Sequence, residues 1–147
     1  MDKQEILNLA IQKEIEAYEL YTAAAEKTDN PGAEKLLNGL ADQEQYHRRL
    51  LEGLPPEQAA EFEPPKERDR HISEHLESRP LGPDSSLQDV IIHAMEREEA
   101  ARKFYQHIAD NVEDPELHSV LEKLATMENA HKARLEDFYE EVFLQEM

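Results

Sequence analysis

The chain has no cysteine and no tryptophan, and only four glycines in 147 residues. The absence of cysteine excludes disulfides, thiol nucleophiles, iron–sulfur clusters and Cys-ligated zinc. Few glycines, few runs of Val, Ile or Thr, and abundant Ala, Leu, Glu, Lys and Gln argue for helices over sheets. No apolar run is long enough to span a bilayer, and Met1-Asp2-Lys3-Gln4-Glu5 lacks the basic start and apolar core of a secretion signal. A cytoplasmic protein with no membrane partner is the expectation. The length suits one domain over 1–147, large enough to bury a core without staples.

Basic residues are also scarce, with 16 Lys and Arg against 34 Asp and Glu and a formal charge of -18. Such a surface repels phosphate backbones and anionic lipid, which excludes nucleic acid as a natural partner. Most of these acids are expected on solvated helix faces. An acid on an apolar face calls for a different explanation.

Asn30-Pro31 and Asp114-Pro115 each place a capping side chain before a proline suited to a first helical position. Helical runs precede them, from about Lys3 to Thr28 and from about Ser86 to Val112, so the chain reads as two helical hairpins with short turns. Hairpin one covers about 3–53 and hairpin two about 86–147. Between them, over about 54–85, Pro55, Pro56, Pro64, Pro65, Pro80 and Pro83 exclude one long helix. A crossover of that size can run the length of a bundle and leave the second and third helices parallel.

The hairpins superpose without a gap. Ala10, Ile11, Glu14, Ala17 and Tyr21 match Ala94, Met95, Glu98, Ala101 and Tyr105, and the same offset carries Pro31 to Pro115, Leu37 to Leu121, Glu44 to Glu128 and His47 to His131. The offset is constant, since 98−14, 115−31 and 131−47 all equal 84. Register kept across a turn identifies the second hairpin as a copy of the first and points to a pseudo-twofold site shared between them.

Apolar residues alternating by three and four mark the inward seam of each helix. The seams are Leu7, Ala10, Glu14, Ala17, Tyr21; Leu37, Leu40, Glu44, His47, Leu51; Ile91, Ala94, Glu98, Ala101, Tyr105; and Leu121, Leu124, Glu128, His131, Leu135, continuing to Phe138 and Val142. Every seam has a glutamate at its middle. Burying an ionised carboxylate costs several kcal/mol even after relaxation (roughly), and no Lys or Arg lies on the seams to compensate. Two divalent cations would supply +4 against the −4 of four carboxylates. In Glu44-Gln45-Tyr46-His47 and Glu128-Asn129-Ala130-His131 the Glu and His, three apart, project from one helix face and can reach the same or adjacent ions. Oxygen-rich ligation with two imidazoles suits iron or manganese better than a closed structural zinc site, although zinc can occupy such a cage.

These residues resemble the rubrerythrin branch of the ferritin-like superfamily, whose motif of Ala-Ile-x-x-Glu followed by a Tyr, then Glu-x-x-His, occurs twice per chain. The resemblance implies an all-α, ferritin-like four-helix bundle with two iron ions. It implies Glu14 and Glu98 as terminal ligands, Glu44 and Glu128 as bridging ligands, and His47 and His131 as nitrogen ligands. Tyr21 and Tyr105, seven residues beyond a seam glutamate, are read either as hydroxyls bonded to ligand carboxylates or as plain core aromatics. Two features depart from the family. There are no cysteines for an appended rubredoxin-like domain, and Ala94 and Ala101 stand where many members have an additional glutamate near the third helix's ligand.

The expected function is a di-iron oxidoreductase reducing hydrogen peroxide or reacting with dioxygen, with electrons from an external donor. The alternative is an iron-binding or ferroxidase-type protein without peroxidase turnover, and a structural metal is a third reading. His71 and His75 have the spacing of a metal pair but no third ligand, while His93, His107 and His118 fall off the seams and read as surface residues. Gly-rich phosphate loops and nucleophile elbows do not appear. Leftover apolar residues at Val142, Phe143 and Leu144 suggest a further contact, with a homodimer the simplest closed arrangement.

Overall fold

A computed structural model describes residues 3–53 and 81–144. These form four long α-helices: α1 (Lys3–Lys27), α2 (Pro31–Gly53), α3 (Leu87–Asn111) and α4 (Pro115–Tyr139), with a π-helical turn at Glu140–Leu144. The starts follow from local chemistry. Asn30 Oδ1 accepts the Ala33 N–H at 3.0 Å, and Asp114 Oδ1 accepts those of Glu116 at 3.0 Å and Leu117 at 3.3 Å. Each cap satisfies amides that have no partner within the helix, while Pro31 and Pro115 have no amide proton to satisfy. α3 opens on a reciprocal cap in which Ser86 Oγ accepts the Asp89 N–H and the Asp89 carboxylate accepts that of Ser86.

α1 packs against α2 and α3 against α4 as two antiparallel hairpins. Tyr21 of α1 meets Glu98 of α3 while Tyr105 meets Glu14, so numbering rises along one helix as it falls along the other. α1 and α3 are therefore antiparallel, and α2 and α3 run the same way, as a long crossover allows. Residues 54–80 of that crossover, with His71 and His75, lie outside the described residues.

The apolar core forms two clusters. One contains Leu7, Ala10, Leu51, Tyr105, Ala109, Leu121 and Leu124, and the other Tyr21, Ala25, Leu37, Leu40, Ile91, Ala94 and Leu135. Adding 84 carries Leu7 to Ile91, Leu37 to Leu121, Leu40 to Leu124 and Leu51 to Leu135, from one cluster into the other. The pseudo-twofold rotation thus exchanges the ends of the bundle. Its axis runs through the middle, where the buried Glu and His residues separate the two apolar layers.

The α4 seam extends to Phe138, which packs against the second cluster, but not to Val142. Phe138 is only partly buried and Val142 is 42% exposed, whereas Tyr139 is buried. The π-helical turn holds more residues per turn than an α-helix, which takes Val142 out of the three-four alternation. Phe143 instead packs on Tyr139, with ring centroids 5.2 Å apart. No helix among the described residues is long and apolar enough to cross a membrane.

Candidate metal centre

The two hairpins place Glu14, Glu44, His47, Glu98, Glu128 and His131 in one buried layer, none more than 2% exposed. Their helices bring them there because each sits on a seam whose flanking residues are already committed to the core. His93, His107 and His118 stay out of the cluster. His107 is exposed and His93 partly buried, while the His118 ring bonds to the Ala109 carbonyl at 2.6 Å across the α3–α4 turn.

The contacts cross between the hairpins. His47 Nδ1 lies 3.1 Å from Glu128 Oε1, and His131 Nδ1 lies 2.8 Å from Glu44 Oε1. The two imidazoles stack, with centroids 5.4 Å apart and planes 4° from parallel. The Tyr21 hydroxyl donates to Glu98, and the Tyr105 hydroxyl donates to Glu14 at 2.5 Å. Of the two readings of these tyrosines, the carboxylate-bonded one describes their geometry. Each serves the glutamate of the opposite hairpin rather than the one on its own helix, a choice that periodicity along one helix does not contain.

Two groups of four side chains each converge closely enough to surround an ion: Glu14, Glu44, His47 and Glu128; and Glu44, Glu98, Glu128 and His131. Within each group the candidate ligand atoms lie within 4.8 Å of one another. Glu44 and Glu128 belong to both groups. Each group therefore has one carboxylate of its own, one imidazole and two shared carboxylates.

Electrostatics divide the four acids in the same way. Burial pushes the Glu44 carboxyl well up, and the negative charges of Glu14 and Glu98 push it further, with Arg97 opposing. Burial likewise raises Glu128, reinforced by Glu44, Glu98 and Glu14. Burial also opposes ionisation of Glu14 and Glu98, but here it is outweighed. The neighbouring Glu44 carboxyl, the adjacent His47 and the Tyr105 hydroxyl hold Glu14 below the ordinary value, and Glu128, His131 and Tyr21 do the same for Glu98. Burial, then the facing glutamate, keeps the Tyr21 and Tyr105 hydroxyls protonated far above their usual range. They are fixed as donors.

The donor set fits a pair of cations. The Oε2 atoms of Glu14, Glu44 and Glu98 are buried without a hydrogen-bond partner among the described residues. Leaving such acceptors unsatisfied costs about 1–3 kcal/mol each, more when charged. Cations within reach of these oxygens would remove that penalty together with the carboxylate repulsion.

A cavity of about 130 Å³ adjoins this layer between α1 and α3. Glu14, Glu44, Glu98, Glu128 and Tyr105 line its inner side, and the small side chains of Ala17, Ala100 and Ala101 with Lys13, Glu16 and Arg97 complete the lining. Lys13 and Arg97 are missing from the seam-based set of candidate residues. Their signal is nevertheless in the repeat, because 97−13 is again 84 and each cation immediately precedes a seam glutamate.

A family model for rubrerythrin matches residues 5–139. The chain belongs to the rubrerythrin family. A solved structure described as a hypothetical protein from Pyrococcus furiosus is 28% identical, with a TM-score of 0.71, over 100% of this chain and 94% of that one. No curated protein matches. The likeness gives the bundle as ferritin-like, and family and cluster together support a di-iron type of protein in general terms.

Proposed function

We propose that this protein is a di-iron carboxylate oxidoreductase that reduces hydrogen peroxide, or reacts with dioxygen, with electrons from an external donor. The reading rests on one observation: two convergent ligand groups share Glu44 and Glu128 in a layer sealed above and below by apolar clusters. In this reading Glu14 and His47 would hold one ion, Glu98 and His131 would hold the other, and Glu44 and Glu128 would be shared between them. Iron supplies one-electron redox chemistry and binding positions for a small oxidant; manganese or zinc can fill the same ligand set, but zinc offers no redox chemistry.

The chain's own residues set the conditions for that chemistry. Tyr21 and Tyr105 orient Glu98 and Glu14 and keep one oxygen of each occupied. Burial and the neighbouring carboxylates raise Glu44 and Glu128 in the metal-free layer, and cations within reach would favour their ionised forms. The apolar clusters exclude bulk water from both ends of the layer. The cavity suits a ligand of a few atoms, well below the roughly 300–1,000 Å³ of pockets for organic substrates.

Anaerobic loading with Fe(II) followed by mixing with hydrogen peroxide tests the proposal. A di-ferric absorption band at full iron occupancy, and sustained peroxide loss with a chemical reductant, are expected; fully loaded protein that gives no band would sink it. Ala94 and Ala101, the seam neighbours of Glu98 where the family resemblance implies a further glutamate, favour a second reading as a ferroxidase-type iron-handling protein. Iron oxidation and release without continuing peroxide consumption would select that alternative.

A further inference from the structure

The mouth of the cavity has a charge out of character with the rest of the chain. Over the whole protein acids outnumber bases by 34 to 16, and four of those carboxylates line the inner side of the cavity. An anion approaching such a molecule should be repelled. Yet two cations, Lys13 and Arg97, line this opening beside a single flanking acid, Glu16. They occupy equivalent positions of the repeat, so they face the centre from both sides of the pseudo-twofold axis.

Both cations are held in place. Lys13 Nζ lies 4.7 Å from the centroid of the Phe104 ring, and Arg97 Nη2 donates to Glu16 Oε2 at 3.3 Å. Arg97 Nε is buried and has no hydrogen-bond partner among the described residues. A guanidinium N–H with no acceptor, in the wall of a small cavity, is a donor positioned for a ligand that brings one. Ala17 and Ala101 leave room beside it.

We propose that Arg97, assisted by Lys13, forms a selective subsite for small monovalent anions at the mouth of the metal centre. Arg97 donates to the anion while its other end meets the metal pair. The inference rests on the di-iron reading above. Binding moves no electrons: the anion enters with its charge and any displaced water leaves neutral. Neutral ligands of similar size use the same cavity without help from Arg97.

The test uses azide as the anionic probe and nitric oxide as the neutral one. Iron content is measured first, in the wild type and in Arg97→Gln, Arg97→Lys and Lys13→Gln. Azide is then titrated into the di-ferric form and its charge-transfer absorption followed, and nitric oxide into the di-ferrous form. Arg97→Gln should weaken azide by about tenfold, the loss expected for one charged hydrogen bond, and should flatten the dependence on ionic strength. Arg97→Lys should recover part of the affinity, Lys13→Gln should give a smaller loss, and nitric oxide should bind alike throughout.

Equal azide affinity in fully loaded wild type and Arg97→Gln would overturn the subsite and leave the di-iron reading intact. So would a parallel loss of nitric oxide, because the residue would then act on the metal and not on the anion. Failure of the wild type to take up iron, read directly in the metal content, would overturn both.

Discussion

The two hairpins have the same inward face and different outward ones. On α2, Tyr46 is 39% exposed, and Arg49 and Glu52 are exposed; at the equivalent positions of α4, Ala130, Ala133 and Glu136 are all buried. Arg48 forms a surface pair with Glu52 at 2.9 Å, whereas its counterpart Lys132 is buried and donates to Glu99 at 2.6 Å. The seams, by contrast, have kept Glu, His and Tyr at each of the six metal-centre and two tyrosine positions. The difference follows from the axis. A residue on the seam contacts the other hairpin's copy of the motif, so a change there breaks two relationships at once. A residue outside it is constrained only by its own surroundings.

The comparison breaks most sharply at the shared glutamates. If the halves contribute equally, Glu44→Gln and Glu128→Gln should have matching effects, each reducing bound metal from a pair to at most one ion per chain. Elemental analysis after anaerobic loading checks this. Unequal losses would show that the copies have diverged within the site as well as outside it.

Stability against pH sharpens the same point. Burial and neighbouring carboxylates raise Glu44 and Glu128 in the metal-free fold. Their protonated forms therefore add a contribution that is full below the ordinary glutamate pKa and declines as pH rises through the raised folded-state values. Glu14 and Glu98, held low, work in the opposite sense, losing their contribution as pH falls through their lowered values. Metal-free protein should thus lose stability as pH increases above the glutamate range. Either glutamine variant should remove part of that loss while impairing metal uptake, and denaturant melts across pH measure both.

Smaller effects follow from the crossed tyrosines. Tyr21→Phe and Tyr105→Phe remove donors to Glu98 and Glu14, and each should weaken metal affinity by about tenfold. The two losses should again be alike, as competition with a chelator can determine. The outer faces should behave unequally. Lys132→Met is expected to destabilise by about 1 kcal/mol, since it removes the buried donor to Glu99 Oε2 and leaves only Arg102 on that carboxylate, whereas Arg48→Met on the exposed pair should stay within about 0.5 kcal/mol.

Much of this arrangement is legible in the sequence alone. Asn30-Pro31 and Asp114-Pro115 mark helix starts because capping is chemistry between near neighbours, and both starts are observed. The six residues of the candidate centre could be singled out because a carboxylate in the middle of an apolar seam is costly unless compensated, and all six are buried. Other features depend on which surfaces meet. A heptad pattern places Tyr21 on an inward face but does not say that Glu98 is opposite it. Nor does it reveal that Lys132 and Glu136 are buried beside the α4 seam, or that α4 gives way to a π-helical turn before Val142. Arg97 stood in between: its pairing with Lys13 was visible in the repeat, but its relation to a cavity was not.

The central claim is that one layer, built equally from both hairpins, holds two metal ions through shared Glu44 and Glu128. Anomalous diffraction at the iron edge from crystals of anaerobically loaded protein tests it most directly. Two peaks should appear, one beside Glu14 and His47 and the other beside Glu98 and His131, with both shared glutamates between them. A single peak, or iron outside this layer, would contradict the account.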